Sequence, residues 1–349
     1  MKSATSNPIS LEKFIRAMPK VELHVHLEGS IRPETLLRLA RRNRVALPYA
    51  TVQELQQWYT FRDFSHFVEI YVNISSCLKT ADDVELIARE FLTGQAEQNI
   101  RYSEPTYTAH TIFQHCGIPF DEQFAALQRA RMWAERELGV TMNVIVDIAR
   151  EVTPESGMVT AEQVVKHYGN GIGALGLGGY EVGHPPEKFQ AAFDLANAAG
   201  VPCILHAGET GGADSIWSAL RAGKSRRIGH GVRCLEDPAL VEYLKASQIP
   251  LEVCPTSNVC LNVAPSLREH PLPTLLDQGL YITLNSDDPP MFNTTLTDEF
   301  LKCAETFGWD HTMCEQLTLN ALRAALLAAK DKMSLEQEFR TEFARLASR

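Results

Sequence analysis

Two histidines with the spacing of metal ligands, His24 and His26, lie in a segment where apolar and polar residues alternate. Such alternation is typical of a β-strand, whose successive side chains point to opposite faces. Both imidazoles therefore leave one face of the strand, side by side. The pair can hold a metal ion if further ligands approach it, although His-x-His pairs also occur in strands that bind nothing.

Two further candidate ligands, His206 and Asp287, follow strand-like segments much later in the chain. Three imidazoles and one carboxylate suit zinc and leave room for a water molecule. Zinc lowers the pKa of a bound water from about 15.7 to about 7, which makes a nucleophile available at neutral pH. We therefore predict one Zn²⁺ held by His24, His26, His206 and Asp287. Taken singly, His206 could be a buried histidine bonded to the backbone, and Asp287 could be a turn residue.

Three more ionisable residues fall at the ends of strand-like segments. Glu209 lies three residues after His206, on a turn, so its carboxyl can face a substrate and, with a pKa raised in a closed pocket, deliver a proton. His230, flanked by two glycines, can approach closely and either take a proton from the water or orient it. Asp288 adjoins a ligand but points the other way, towards a substrate. The simpler alternatives are a carboxylate at a helix N-terminus for Glu209 and a surface-loop histidine for His230.

The elements that position these residues are eight strand-like segments, which alternate with helical patterns. The strand-like segments cover residues 21–27, 100–103, 142–148, 172–177, 201–205, 227–229, 250–253 and 280–284. This alternation predicts a parallel sheet with right-handed crossovers, and eight units predict a closed (β/α)8 TIM barrel. Barrel enzymes carry reactive residues where strands end, which is where the candidates lie. An open doubly wound sheet has less support, because the glycine-rich segment 171–179 is not followed by a helix.

Two regions lie outside the repeating units. Residues 45–80 form an aromatic-rich helical insertion after the first strand, with rings recurring at three- and four-residue steps. We expect most of these rings to pack into the core, and one or two to cap a pocket and touch a ligand. Residues 297–349 are helical in composition and are expected to pack across the bottom or side of the barrel. Because no linker or shift in composition divides the chain, we predict a single domain over residues 1–349.

Composition argues against several classes of protein. The net charge of −10 disfavours a nucleic-acid binder, which would present a basic face. No apolar stretch reaches the roughly 20 residues that cross a bilayer, and the polar residues 1–10 do not resemble a secretory signal. The eight cysteines are scattered without a C-x-x-C pair, which favours buried thiols in a reducing cytoplasm and removes the cysteine-ligated zinc deaminase pattern. We therefore expect a cytoplasmic protein that acts on a small molecule.

Four short motifs, H-x-H-L-E-G, H-A-G-E, G-H-G and S-D-D-P, occur in this order along the chain. Together they resemble the adenosine/adenine deaminase family of metal-dependent hydrolases, over nearly the whole chain from about Leu11 onward. The resemblance implies a barrel, a single zinc ion, and hydrolytic replacement of a purine 6-amino group by oxygen with release of ammonia. One metal is expected because no lysine occurs between Gly171 and Glu181, where two-metal relatives carry a carboxylated lysine.

The resemblance also implies a role for each matching residue. The zinc ligands correspond to His24, His26, His206 and Asp287, with His26 also bordering the substrate. Glu209 corresponds to the proton donor to purine N1, and His230 to the residue that orients or deprotonates the attacking water. The substrate contacts correspond to Asp288 for N7, the backbone N–H of Gly179 for N3, and Glu28 for a ribose.

The chain departs from the usual family pattern at positions that decide which purine is bound. Tyr180 stands where adenosine deaminases typically carry aspartate, and Glu28 is one methylene longer than the usual ribose-binding acid. The segments Glu104-Pro105 and 181–186 are closer to the branch that deaminates free adenine or modified adenosines. Adenosine is the first predicted substrate, with adenine and aminodeoxyfutalosine as the alternatives.

The same residues give less support to two rival functions. A non-catalytic, zinc-stabilised binding protein on this barrel would be expected to lack Glu209 or His230, and both are present. A barrel hydrolase acting on an amide, lactone or phosphoester would not need Glu209 and Asp288 placed to contact a heteroaromatic ring. The motifs therefore favour a purine deaminase.

Overall fold

Eight parallel strands form a nearly closed barrel in the computed structural model, which describes residues 9–348. With the short extra strand β3, the described residues contain nine strands, which are β1 (Lys20–His26), β2 (Ile100–Tyr107), β3 (Thr141–Met142), β4 (Val144–Ala149), β5 (Ile172–Gly178), β6 (Cys203–Ala207), β7 (Arg227–His230), β8 (Leu251–Val253) and β9 (Ile282–Leu284). Their order around the barrel is β1-β2-β4-β5-β6-β7-β8-β9, and the two-residue β3 pairs with β2. Because neighbouring strands are parallel, they all end at the same mouth, and the predicted (β/α)8 barrel is confirmed.

The seam between β9 and β1 closes the barrel through the residues that follow β9. The Asp287 N–H donates to the carbonyl of His24 (3.1 Å), and the Asp287 carbonyl accepts from the N–H of His26 (2.8 Å). The side-chain oxygen of Asn285 accepts from the N–H groups of Leu23 (2.9 Å) and His24 (3.1 Å). Closure therefore places Asp287 directly beside the two histidines of β1.

Helices cover the outside of the barrel. They are α1 (Leu11–Ala17), α2 (Pro33–Asn43), α3 (Val52–Trp58), α4 (Phe64–Ser75), α5 (Ala81–Glu97), α6 (Ala109–Cys116), α7 (Phe120–Glu137), α8 (Pro154–His167), α9 (Gln190–Ala198), α10 (Ala213–Ala222), α11 (Pro238–Ser247), α12 (Pro255–Cys260), α13 (Leu272–Asp277), α14 (Leu296–Phe307), α15 (His311–Ala324) and α16 (Ala329–Ala347). Several begin at a side chain that accepts a hydrogen bond from the first turn, as Thr80 does for α5 and Thr295 for α14.

Two elements differ in length from the sequence-based expectation. Strand β2 continues to Tyr107 instead of ending near residue 103, because the buried Glu104 finds a cationic partner inside the barrel and does not break the strand. The helical pattern before the fourth strand-like segment predicts a helix from residue 161, whereas helix α8 begins at Pro154. The side chain of Thr153 caps the helix. Proline is tolerated in the first turn, because the backbone N–H that it lacks would have no acceptor within the helix.

The floor of the barrel is an ion-pair network that the carboxy-terminal helices cover. The buried Arg227 guanidinium donates to the carboxylates of Glu104 and Glu252. It also donates to the carbonyl of Ala324 (2.9 Å), while the N–H of Leu326 donates to Glu104 (2.5 Å). The segment between α15 and α16 therefore packs across the bottom of the barrel, as the composition of residues 297–349 predicted.

The aromatic insertion lies over the mouth of the barrel. On α4, the ring of Phe67 stacks on Phe292 after β9 (5.5 Å between centroids), and Phe64 meets Tyr180 after β5 (5.6 Å). Phe61 also contacts Phe292. These contacts join α4 to the loops of two distant strands, so the insertion caps the mouth and packs into the core at the same time.

Within residues 9–348, no helix is long and apolar enough to cross a bilayer. Residues 1–8 and 349, which include most of the polar amino terminus, lie outside the described part of the chain. The single domain expected over residues 1–349 stays a prediction.

Because Asn285 supplies the acceptor at the seam, we expect Asn285→Ala to lower the stability of the fold substantially. The substitution leaves the buried N–H groups of Leu23 and His24 without an acceptor, and each such donor costs about 1–3 kcal/mol, so we expect roughly 2–4 kcal/mol of lost stability. Urea-induced unfolding measures the loss. The exposed Asn73, changed to Ala, is the control and should change stability by less than about 0.5 kcal/mol. Equal unfolding midpoints for both variants would contradict this role of Asn285.

Candidate active site

The four predicted ligands converge at the mouth of the barrel. The Nε2 atom of His26 lies 3.1 Å from Nε2 of His206 and 3.3 Å from Oδ1 of Asp287. The same carboxylate oxygen lies 3.6 Å from Nε2 of His24. Four tetrahedral ligands at about 2.0–2.1 Å from a zinc ion would lie about 3.3 Å from one another. The spacing of these atoms therefore fits a tetrahedral metal centre.

Neighbouring groups orient two of the histidine rings. The Nδ1 atom of His24 is 2.9 Å from the Glu252 carboxylate, and Nδ1 of His206 is 2.9 Å from the carbonyl oxygen of Leu177. Each contact turns the Nε2 atom of its ring towards the centre of the site, as in other metal sites. The Nε2 atom of His24 is buried and has no hydrogen-bond partner, which is costly for a polar atom unless it binds a ligand.

The charge states of His206 and Asp287 suit a cation. Burial, together with the neighbouring histidines, lowers the pKa of His206 well below its usual value, so the ring is neutral and its lone pair is free. Burial alone would raise the pKa of Asp287, but the adjacent imidazoles of His24 and His26 outweigh it and hold that pKa well below the usual range. The carboxylate is therefore ionised among imidazoles, which is the state that coordinates a metal.

A second, overlapping group of possible ligands includes Cys254, which the sequence did not single out. Ligand atoms of His24, His230, Cys254 and Asp287 lie within 4.8 Å of one another. Burial and the charge of Asp287 raise the pKa of the Cys254 thiol well above its usual value, and the thiol donates to the carbonyl of Glu252. A protonated thiol is a poor ligand, so this group competes weakly with the three-histidine set.

Glu209 and His230 face each other across the cavity next to these ligands. The Nε2 atom of His230 is 3.7 Å from the Glu209 carboxyl, and both side chains are buried. Burial, reinforced by the charges of Asp287 and Glu181, raises the pKa of Glu209 well above its usual value. Burial and the nearby His24 lower the pKa of His230 to about 3. These shifts favour a carboxylic acid beside a neutral imidazole.

Two of the predicted site residues hold unusual backbone conformations. The φ angles of His230 and Asp287 are 61° and 67°, in the left-handed region that non-glycine residues rarely adopt. Such strain persists where the surrounding structure enforces it, and it is common at functional sites. The turns at the ends of β7 and β9 therefore aim these side chains into the mouth.

Asp288 and Glu28 occupy different positions relative to the cavity. Asp288 lines it with a buried Oδ1 atom that has no partner, and a Cβ atom on Gly29 would lie only 1.6 Å from that oxygen. Glu28 lies behind the cavity wall, where its carboxyl accepts from the hydroxyl of Tyr71 (3.0 Å) and the N–H of Thr108 (2.9 Å). The contact predicted between Glu28 and a ribose stays a prediction, and Tyr71 holds the wall position in front of it.

The cavity that these groups share has a volume of about 130 Å³. Gly179 lines it with a φ angle of 95°, and a Cβ atom there would meet the Glu151 carboxylate at 2.6 Å, so only glycine fits. Asp147 of β4 also lines the cavity, and its buried Oδ1 atom has no hydrogen-bond partner. The sequence contained a sign that Asp147 is functional, because this aspartate interrupts an otherwise apolar strand.

Glu181, which the sequence left without a role, holds the loop that carries Glu209. Its carboxylate accepts from the N–H groups of Gly208 (2.5 Å), Glu209 (3.1 Å) and Gly211 (2.6 Å). Burial would raise the pKa of Glu181, but these bonds and one from Ser215 lower it, so the group stays ionised. The loop forms an anion-binding nest around the carboxylate and fixes the backbone of Glu209.

The geometry predicts that His206→Ala cannot retain zinc. Removing one imidazole from the four-ligand set opens the centre, so we expect the purified variant to lose its metal on dialysis while the unchanged protein holds one zinc ion per chain. Elemental analysis measures the content. His110→Ala, at a buried histidine outside the cluster, is the control and should keep full zinc. A fully loaded His206→Ala protein would refute the assignment of this ligand.

Known proteins resemble this chain over most of its length. Residues 19–342 match the family model described as Adenosine deaminase. An adenine deaminase of Crocosphaera subtropica is 38% identical over 325 residues, which cover 93% of this chain and 99% of that protein. An aminodeoxyfutalosine deaminase of Streptomyces coelicolor is 37% identical over 336 residues, 96% of this chain and 87% of that protein.

Solved structures share the fold as well. An adenine deaminase from Arthrobacter aurescens gives a TM-score of 0.90 at 33% identity and covers 94% of this chain and 100% of its own. An amidohydrolase from Burkhoderia ambifaria with bound Zn gives a TM-score of 0.89 at 26% identity, over 99% of this chain and 96% of its own. The family match and the relatives above 30% identity show that this chain belongs to the adenosine deaminase family of metal-dependent hydrolases.

Proposed function

We propose that this chain is a zinc-dependent hydrolase that replaces the 6-amino group of a purine by oxygen and releases ammonia. The observation that carries the proposal is the buried Glu209 carboxyl, which lies 3.7 Å from Nε2 of the buried His230 beside the cluster of proposed metal ligands. An acid and a metal centre in one cavity suit a reaction in which an aromatic ring must be protonated while water attacks it.

The residues that would hold zinc are His24, His26, His206 and Asp287. Their ligand spacing, the unpartnered nitrogen of His24 and the ionised Asp287 support the assignment. The similar amidohydrolase with bound Zn supports the identity of the metal. When bound, zinc supplies an acidified water molecule at neutral pH.

The remaining residues would bind and protonate the purine. Ring carbon C6 resists attack until N1 accepts a proton, and the protonated Glu209 is placed to donate one. Burial and the adjacent Asp287 raise the pKa of Asp288 well above its usual value, so its carboxyl can donate a hydrogen bond to the N7 acceptor. The N–H of Gly179 is assigned to N3, and His26 borders the ring from the metal side.

Adenine is the substrate that we propose first. The adenine deaminases of Crocosphaera subtropica and Arthrobacter aurescens are both more than 30% identical to this chain. Adenosine, the first substrate expected from the motifs, has less support, because the relatives described above are named for other substrates.

Aminodeoxyfutalosine is a second candidate, favoured by the shape of the cavity. Beyond the position assigned to the base, the walls continue into an outer groove of about 390 Å³. Both spaces share Val68, Val72, Thr111, Ala149 and Glu151. A free base would leave this groove empty, whereas a nucleoside with a large substituent would extend into it. The relative from Streptomyces coelicolor carries this activity in its name.

Ammonia release from adenine, adenosine and aminodeoxyfutalosine, measured side by side, tests the proposal. We expect adenine to give the highest kcat/KM if the base alone is recognised, and aminodeoxyfutalosine if the groove is used. Thr111→Trp, where the two spaces meet, should reduce turnover of aminodeoxyfutalosine and spare that of adenine. Zinc-loaded protein that releases ammonia from none of the three would overturn the proposed function and favour a non-catalytic barrel.

Glu209→Gln should abolish turnover without loss of metal. The amide cannot deliver the proton that N1 needs, and general acid catalysis of this kind contributes about 10²–10⁴-fold to a rate. Steady-state kinetics and zinc content are measured on the same preparations. Glu162→Gln, an exposed residue on α8, is the matched control and should behave like the unchanged protein. Retained turnover in Glu209→Gln would exclude the proton-donor role.

A further inference from the structure

A chain of three hydrogen bonds leads from the backbone to His230. The N–H of Leu272, at the start of α13, donates to Nδ1 of His270 at 3.0 Å. The Nε2 atom of His270 lies 3.1 Å from the Asn258 side-chain oxygen, and the Asn258 amide nitrogen lies 3.3 Å from Nδ1 of His230. All three side chains are buried, so no solvent substitutes for a missing partner.

The direction of each bond follows from the first one. A peptide N–H can only donate, so Nδ1 of His270 accepts and carries no proton; the ring proton is therefore on Nε2. That N–H requires an acceptor, which orients Asn258 with its oxygen towards His270 and its amide N–H towards His230. The Nδ1 atom of His230 must then accept.

We propose that His270 and Asn258 are positioning residues that fix the tautomer of His230, so that its ring presents an Nε2–H group to the cavity. The opposite orientation of Asn258 would set its amide N–H against the N–H of His270, two donors in contact inside the core. The tautomer is thus determined by a backbone group 42 positions away in sequence, through contacts that do not involve the metal ligands.

The tautomer decides between the two roles that the motifs left open for His230, a conclusion that rests on the proposed function. A ring that presents Nε2–H can donate a hydrogen bond to the oxygen as it adds to C6, but it cannot accept a proton at that nitrogen. The Nε2 atom lies 3.7 Å from the Glu209 carboxyl, and both residues line the cavity. His230 therefore orients the nucleophile and stabilises its developing charge as a donor.

Asn258→Asp tests the proposal, because a carboxylate is nearly isosteric and can only accept at both ends. It accepts from His270 as before, but it draws the proton of His230 to Nδ1. In zinc-loaded protein labelled with ¹⁵N-histidine, NMR should show His230 protonated at Nε2 and unprotonated at Nδ1, with Nδ1 protonated in the variant. In the Ser-His-Asp triad of serine proteases, the wrong tautomer of the catalytic histidine reduces kcat by about 10⁴-fold. We therefore expect a loss of about 10²–10⁴-fold in kcat, with KM changed far less.

Three companion variants keep the test decisive. Asn262→Asp, the same substitution at an exposed position nearby, should leave kcat unchanged. His270→Phe, which keeps the ring but removes its N–H, should yield both tautomers and an intermediate kcat. In a His230→Gln background, Asn258→Asp should cause no further loss, since its effect passes through His230.

The outcomes separate this inference from the proposed function. Protonated Nδ1 on His230 in the unchanged protein would overturn the inference, and so would an undiminished loss from Asn258→Asp in the His230→Gln background. The NMR measurement needs no substrate. It therefore reports the tautomer even if no purine is deaminated, which would overturn only the proposed function.

Discussion

The seam between β9 and β1 is the constraint on which the site depends. The peptide of Asp287 is bonded on one side to His24 and on the other to His26, so a single turn sets the distance between three ligands. Asn285 supplies the acceptor that the incomplete ladder lacks, and it does so within two residues of Asp287. The bonds that close the barrel therefore also hold three of the four proposed metal ligands together. His206 is the one ligand that reaches the cluster from the opposite wall.

Burial acts differently on the acids of this interior, according to their partners. Burial alone would raise the pKa of Glu252, but the Arg227 cation and the contact with His24 lower it, so this carboxylate stays ionised behind the metal centre. Burial and the charge of the neighbouring Asp287 raise the pKa values of Glu209 and Asp288 well above their usual range. One barrel thus contains acids whose pKa is lowered and acids whose pKa is raised, a division set by environment instead of residue type.

Much of the fold and of the candidate site could be predicted, because both follow from local patterns that a barrel converts into proximity. The alternation of strands and helices predicted the barrel, and the ends of parallel strands must meet at one mouth, so distant residues such as His24, His206 and Asp287 could be grouped without any contact information. The supporting residues could not be found in this way. Glu181 and Asn258 act through backbone conformations and ring orientations that no spacing along the chain encodes. Substrate preference also depends on the depth of a cavity, which is a property of packed walls and not of motifs.

The central claim is that three imidazoles and one carboxylate, and no thiolate, surround a single ion. X-ray absorption at the zinc edge of the metal-loaded protein tests it directly, because Cys254 is the one competing donor of a different element in the overlapping group. The account predicts a shell of nitrogen and oxygen atoms at about 2.0–2.1 Å with histidine scattering and no sulfur. A sulfur contribution at about 2.3 Å would contradict it and would assign the metal to the group that contains Cys254.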